Sequence, residues 1–188
     1  MVRRTKYKFD MKKVAVIGAG PSGITAIKNF KDQGFEVIAF ERCSGVGGNW
    51  RYNDPSGHSS VFETTHIISS KYTSYYEDFP LPENASDYPS HKELLEYFQA
   101  YTDHFDLDKN IKFNTEVVHC SQDNSHKWKV KWRELNDTQV LEEEFDALVV
   151  AMVITMNLDI LTIQENFQVS IYILTNIKRL HLLQTKKF

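Results

Sequence analysis

The stretch Gly18-Ala19-Gly20-Pro21-Ser22-Gly23 decides the fold of this chain. It has the spacing G-x-G-x-x-G, it follows the short apolar strand pattern Lys12–Ile17, and it opens the helical pattern Pro21–Gln33. In this context the first glycine permits a tight turn, the second lets the backbone approach a pyrophosphate, and the third lets helix and strand pack closely. The helix N-terminus adds N–H groups and positive dipole. The motif therefore predicts a site for the pyrophosphate of a dinucleotide.

An acidic residue follows at the position that such a site needs. The second predicted strand, Phe35–Phe40, ends at Glu41, and a carboxylate here accepts hydrogen bonds from the ribose hydroxyls of an adenosine. The same carboxylate repels the 2′-phosphate of NADP, which leaves NAD or FAD as the ligand of this turn. The glycine-rich residues 45–48 come next, where an NAD enzyme normally begins another helix. This thin backbone favours FAD, a long cofactor.

The rest of the chain supplies a predicted helix and several strands. Residues 43–89 are rich in Gly, Ser, Tyr, Asn and Pro and are predicted to be a functional loop region. Ser90 and Glu93 form a capping-box pattern that predicts a helix over about 91–105. The predicted strands are Ile111–Phe113, Glu116–Cys120, Trp128–Arg133 and Thr138–Glu143, and Glu142–Glu144 is interpreted as a solvated turn. The buried-strand run Phe145–Ala151 is expected to return beside the first strand of a parallel sheet.

Length and charge limit the possible functions. The 188 residues allow one sizeable domain, and the net charge of −3 offers no basic field for nucleic acid. No run of apolar residues approaches a membrane span, the two cysteines fit a reducing compartment, and we expect a cytoplasmic protein. The histidines lack ligand spacing, so no metal site is predicted. We expect a flexible basic tail over 1–11, a domain over 12–151 and an unassigned segment over 152–188.

Several motifs resemble those of the flavin-containing monooxygenases. In that family G-x-G-x-x-G is followed by E-R-x-x-x-x-G-G-x-W, a spacing that this chain reproduces from Glu41 to Trp50. Further matches are Arg51-Tyr52 after the tryptophan, Asp78-Phe79-Pro80 at the family's D-F-P turn, Tyr88-Pro89-Ser90-His91 before a helix, and residues 111–117 after it. The resemblance extends from about Lys12 to Ala151.

The resemblance implies an α/β fold, a Rossmann-like FAD-binding domain with a parallel sheet and a β-meander. It implies that residues 18–23 hold the FAD pyrophosphate, that Glu41 holds the adenosine ribose, and that the backbone of Val117 lies near the adenine. The residues implied at the ribityl and ring side are Gly48, Asn49 and Trp50. The family uses FAD, NADPH and O2 to oxygenate nitrogen or sulfur of small molecules, so an amine or a sulfide is the implied substrate. Catalytic residues are not assigned.

Three departures from the family pattern bear on activity. Ile68 stands where the family has an asparagine beside the flavin, and Ser69 or Ser70 could replace that asparagine only with a register shift. Met152 replaces the glycine-bearing turn that follows the family's last strand. The second glycine motif, which would bind NADPH, is absent from this sequence. We therefore expect a chain truncated after about residue 151 that lacks the NADPH-binding domain.

Three function hypotheses follow. The first is a flavin-dependent monooxygenase acting on nitrogen or sulfur, and the second is a non-catalytic FAD-binding or nucleotide-binding fragment. The third is an NAD-linked reductase, which the glycines after Glu41 disfavour. Flavin absorbance separates the first two hypotheses from the third, and NADPH oxidation separates the first from the second.

Overall fold

A computed structural model describes residues 13–57 and 61–152. The strands in these ranges are β1 (Lys13–Ile17), β2 (Glu36–Phe40), β3 (Ile111–Lys112), β4 (Thr115–Gln122), β5 (Trp128–Glu134), β6 (Leu141–Phe145) and β7 (Ala147–Val150), and the helices are α1 (Pro21–Asp32) and α2 (His91–His104). Short 3₁₀ turns cover Gly48–Trp50 and Asp108–Asn110. The predicted tail over 1–11 lies outside the described residues, as does the predicted segment over 152–188 except for Met152.

Four strands form a parallel sheet in the order β3-β2-β1-β7. In the centre of β1, the side chains of Val14, Ala15 and Val16 are fully buried. Burial on both faces explains why β1 is continuously apolar rather than alternating. Strand β7 pairs with β1 in parallel, with Val16 opposite Val149, which confirms the predicted return of the chain to the first strand. The predicted α/β class is confirmed as well.

The two faces of the parallel sheet are covered by different layers. Val14 and Val16 belong to the core cluster that includes residues of α1 and α2, whereas Ala15 belongs to the cluster with Val130 and Phe145. The second cluster lies against an antiparallel sheet of order β4-β5-β6. Since side chains alternate along a strand, β1 contacts both layers at once. The fold is therefore helices, parallel sheet and antiparallel sheet in three layers.

Both helices begin at the residues that the sequence predicts. Helix α1 has Gly20 as its N-cap and a proline in its first position, and α2 has the capping box of Ser90 and Glu93. In this box the Glu93 carboxylate accepts the Ser90 N–H at 2.8 Å, and Ser90 Oγ accepts the Glu93 N–H at 3.3 Å. No helix in the described ranges is both long enough and apolar enough to cross a membrane.

The structure corrects the predicted strands near residue 145. Strand β6 covers Leu141–Phe145 rather than Thr138–Glu143, and the glutamates over 142–144 lie within it rather than in a turn. Lys129 and Lys131 of β5 stand opposite Glu144 and Glu142, so cross-strand attraction stabilises this charged strand. The chain changes sheets at Asp146, where two hydrogen bonds join it to Lys13. The Asp146 N–H donates to the Lys13 carbonyl oxygen at 2.9 Å, and the Lys13 N–H donates to the Asp146 carboxylate at 2.8 Å.

Candidate dinucleotide-binding site

The turn between β1 and α1 depends on two of its three glycines. Gly18 has a positive φ of 94°, and a Cβ on it would lie 3.0 Å from the carbonyl oxygen of Ala151. A Cβ on Gly23 would lie 2.0 Å from the Gly18 carbonyl oxygen, a separation that no side chain tolerates. The packing of the protein itself therefore requires the first and third glycines of the motif.

Gly20, the middle glycine, is not required by the protein. Its φ is −70°, which any residue adopts. Apart from its chain neighbours, the nearest described atom to a Cβ on Gly20 is the Gly48 Cα at 3.7 Å, an ordinary contact. The free space beside Gly20 would let a ligand approach the backbone closely. The position of Gly20 as N-cap of α1 fits an anionic pyrophosphate.

A second group of glycines faces this turn. We call Gly18–Gly23 the first glycine cluster and Gly45–Gly48 the second glycine cluster. The Gly47 N–H donates to the Ala19 carbonyl oxygen at 3.1 Å, and a Cβ on Gly48 would lie 3.1 Å from the Gly20 Cα. The two clusters therefore meet backbone to backbone.

Most of the predicted site residues share one partly exposed rim. The partly exposed members are Gly18, Gly20, Pro21, Ser22, Gly48, Asn49 and Trp50, and the buried members beneath them are Ala19 and Gly23. Trp50 also packs against the core cluster that contains α1 and α2. Pro21 is fixed from outside the motif, because the Tyr76 hydroxyl donates to its carbonyl oxygen at 2.8 Å. The structure thus brings together residues that the sequence places more than 20 positions apart.

Glu41 lies at the end of β2, 5% exposed, and its carboxylate contacts the first glycine cluster and the chain just after β2. One carboxylate oxygen accepts the Ala19 N–H at 2.5 Å, and the other accepts the Cys43 N–H at 2.7 Å. Sequence reasoning missed both contacts. A carboxylate oxygen has two lone pairs, so it can accept more than one hydrogen bond. The ribose role stays a prediction, and Glu41 also joins the first glycine cluster to the chain after β2.

Val117 occupies a different environment from the other predicted residues. Its side chain is buried in β4 with Phe40 and Trp132, on the side of the antiparallel sheet. The start of β4 is tied to the site, because the Thr115 N–H donates to the Glu41 carbonyl oxygen at 2.9 Å. The structure therefore connects the strand of Val117 to Glu41, and the contact of its backbone with adenine stays a prediction.

The two positions that depart from the family pattern differ in their surroundings. Ile68 is 96% exposed, and the Ser69 hydroxyl lies 2.7 Å from the Ser74 hydroxyl within the same loop. Met152 is half-exposed just beyond Ala151, whose N–H donates to the Ile17 carbonyl oxygen at 2.9 Å. The chain before Met152 thus reaches the glycine turn.

The aromatic residues of the long loop divide into two groups. Tyr72 and Tyr75 are exposed, whereas Tyr76 and Phe79 pack against the rings of α2, with Tyr76 4.6 Å from Tyr101 between ring centroids. The Tyr97 hydroxyl donates to the Phe79 carbonyl oxygen at 2.5 Å, and burial raises the pKa of Tyr97 to about 12. Tyr76 and Phe79 therefore attach the loop to α2.

Comparisons with known proteins agree with this geometry. The sequence profile described as flavin-binding monooxygenase-like matches residues 11–168, and so extends past residue 151. A dimethylaniline monooxygenase [N-oxide-forming] 2 of Cavia porcellus is 38% identical over 145 residues, which are 74% of this chain and 27% of that protein. The chain thus spans about a quarter of the length of this curated relative.

Solved structures show the same fold. The S-allyl-L-cysteine S-oxygenase of Allium sativum matches with a TM-score of 0.68 and 29% identity over 74% of this chain and 36% of that one. A steroid monooxygenase bound to NADP matches with a TM-score of 0.60 and 31% identity, over 73% of this chain and 25% of that one.

Proposed function

The chain belongs to the flavin-binding monooxygenase-like family, and from this premise we propose that its described part is the FAD-binding portion of an NADPH-using monooxygenase. The proposed substrates are small molecules with a nucleophilic nitrogen or sulfur. The relatives support this class, since one is called N-oxide-forming and another is an S-oxygenase. Bound FAD would supply the redox chemistry and the activation of O2, and the protein supplies binding, orientation and exclusion of water.

The observation that carries the proposal is the free space at Gly20. The protein requires glycine at positions 18 and 23, but it leaves room for a methyl group at position 20. A pyrophosphate in contact with the main chain at the start of α1 accounts for that third glycine. The site residues therefore fit a dinucleotide.

Each part of the proposed cofactor has residues that would hold it. The first glycine cluster and the N-terminus of α1 would bind the pyrophosphate, and Glu41 would accept the ribose hydroxyls. Gly48 and the two residues after it would lie along the ribityl and ring side. The backbone of Val117 would lie near the adenine. Except for Val117, these residues belong to the rim where the two glycine clusters meet, or, like Glu41, they contact that rim directly.

A second candidate function is FAD binding without catalysis. It is favoured by Ile68, an exposed apolar side chain that donates no hydrogen bond, at the position of the family's asparagine. We expect these 188 residues alone to bind FAD weakly and to leave NADPH unoxidised when a sulfide or tertiary amine is added. Rapid NADPH oxidation that the substrate stimulates would contradict this expectation.

We also propose a cytoplasmic location, supported by the state of the cysteines. Cys43 and Cys120 are unpaired and buried. Burial raises the pKa of Cys43 to about 11 and that of Cys120 to about 12, so both remain protonated thiols. Buried free thiols suit a reducing compartment.

Titration of the purified chain with FAD tests the proposed function. We expect saturable binding with one FAD per chain, seen as quenching of flavin fluorescence during the titration. NADP added as a competitor is the matched control, because Glu41 repels its 2′-phosphate, and it is expected to displace little FAD. A folded chain that does not quench flavin fluorescence, or that loses its FAD to an equal concentration of NADP, would overturn the proposal.

A further inference from the structure

Asp54 is a buried carboxylate that none of the predicted roles uses. Its side chain is 1% exposed, and it accepts hydrogen bonds from Arg51 Nε at 2.9 Å, Ser44 Oγ at 3.0 Å and the Ser56 N–H at 2.9 Å. Burial by itself raises the pKa of Asp54, but the hydrogen bonds from Ser56, Arg51 and Ser44 outweigh it and hold the pKa below its ordinary value. Asp54 is therefore an ionised group fixed beside the second glycine cluster.

Arg51 connects this carboxylate to the second glycine cluster. While its Nε donates to Asp54, its Nη1 donates to the Val46 carbonyl oxygen at 3.2 Å and its Nη2 donates to Ser44 Oγ at 3.1 Å. The guanidinium also covers Gly45, since a Cβ on Gly45 would lie 2.6 Å from Nη1. The planar guanidinium thus contacts the main chain of the second glycine cluster, the serine before the cluster and the face of Gly45.

The held segment is the one that faces the first glycine cluster. Gly47 and Gly48 both have positive φ, and they meet Ala19 and Gly20 backbone to backbone. A segment with three glycines loses much conformational entropy when it is ordered. If the binding conformation is only partly populated, the apparent affinity falls by that fraction. Contacts that order the segment before the ligand arrives therefore raise affinity.

We propose that Asp54, acting through Arg51, is a positioning residue that holds the second glycine cluster against Gly20 and so sets the affinity of the dinucleotide site. This inference rests on the proposed function for its ligand, FAD. Asp54 itself need not touch the ligand, because its three partners all belong to residues 44–56.

Two substitutions test how Asp54 and Arg51 hold the second glycine cluster, one at Asp54 and one within the cluster. Asp54→Asn keeps the shape of the side chain and removes its charge. Gly45→Ala leaves every charge in place but pushes the guanidinium of Arg51 aside, and the φ of Gly45 lies outside the left-handed region, so alanine fits the backbone there. Each variant is expected to weaken FAD binding about tenfold, as loss of a charge-assisted hydrogen bond predicts.

A double substitution separates positioning from a general loss of stability. In an Arg51→Ala background the methyl group of Gly45→Ala has no guanidinium to displace, so we expect no further loss of FAD affinity. Asp123→Asn is the matched control, because it changes a carboxylate that accepts the Ser125 and Lys127 N–H groups in the turn between β4 and β5, and none of these residues belongs to either glycine cluster. It is expected to lower the melting temperature without changing FAD affinity. Additive losses in the double variant would overturn the inference.

Hydrogen exchange on the 188-residue chain without FAD provides the independent readout. Asp54→Asn and Gly45→Ala are expected to speed amide exchange at Gly47, which donates to Ala19, while Asp123→Asn leaves it unchanged. If the wild-type chain binds no FAD, the proposed function fails, and the exchange rates still test the contact. Unchanged exchange at Gly47 in both cluster variants would overturn the inference even if FAD binds.

Discussion

The two glycine clusters are neighbours in space, but their glycines pack against different groups. In the first cluster Gly23 packs on the Gly18 carbonyl and Gly18 packs on that of Ala151, so both face main-chain atoms. In the second, Gly45 lies under the Arg51 side chain, and a methyl group of Leu95 in α2 lies 2.5 Å from a Cβ on Gly47. The packing of β1, the turn and α1 therefore shapes the first cluster. The second depends on particular residues outside it, and substitutions of those residues are expected to lower both stability and affinity.

The largest expected effect is at Gly23. Gly23→Ala places a methyl group 2.0 Å from a carbonyl oxygen that cannot move without shifting β1 or α1. We expect a loss of about 3 kcal/mol or more in the free energy of unfolding, measured by urea denaturation. Thr25→Ala, in the same helix, is the control and is expected to stay within about 1 kcal/mol of wild type. A stable Gly23→Ala protein would show that the first cluster accommodates a side chain as readily as the second.

The next effect is the pH dependence of the contact between Asp54 and Arg51. In the unfolded chain an aspartate titrates near about pH 4, and in the folded protein the pKa of Asp54 is lower. The ionised carboxylate therefore contributes stability above that pH, and the contribution is lost as the pH falls through the folded pKa. We expect Asp54→Asn to cost about 2 kcal/mol at pH 7 and progressively less below pH 4, measured by urea denaturation at each pH. A cost that does not change with pH would contradict an ionised Asp54.

A smaller effect is expected at the hydrogen bond that joins Tyr76 of the long loop to the start of α1. Tyr76→Phe keeps the ring contacts with α2 and removes the hydrogen bond to the Pro21 carbonyl oxygen. We expect a loss of about 1 kcal/mol in thermal or chemical unfolding. Tyr72→Phe is the control, because Tyr72 is 68% exposed, and no change is expected. Equal effects in the two variants would show that the Tyr76 hydroxyl does not stabilise this end of the helix.

The contrast also explains what could be predicted from sequence. The first cluster, β1 and α1 are continuous in the chain, so the glycine spacing and the apolar pattern were enough to predict them. The apolar run before Ala151 was enough to predict β7. Strand β6 could not be placed, because its glutamates are stabilised by Lys129 and Lys131 across the sheet. The role of Asp54 has no periodic signal, since it lies in an irregular loop. The two amides bound by Glu41 were missed because only the folded turn brings Ala19 to that carboxylate.

Gly20→Ala tests the central claim most directly, with stability and FAD affinity measured on the same preparation. The structure has room for the methyl group, so the free energy of unfolding is expected to fall by only about 0.5 to 1 kcal/mol, the cost of alanine at an N-cap. FAD binding is expected to weaken about tenfold or more, because the methyl group occupies the space that the pyrophosphate needs. Unchanged FAD affinity in a stable Gly20→Ala protein would contradict a dinucleotide site at this turn.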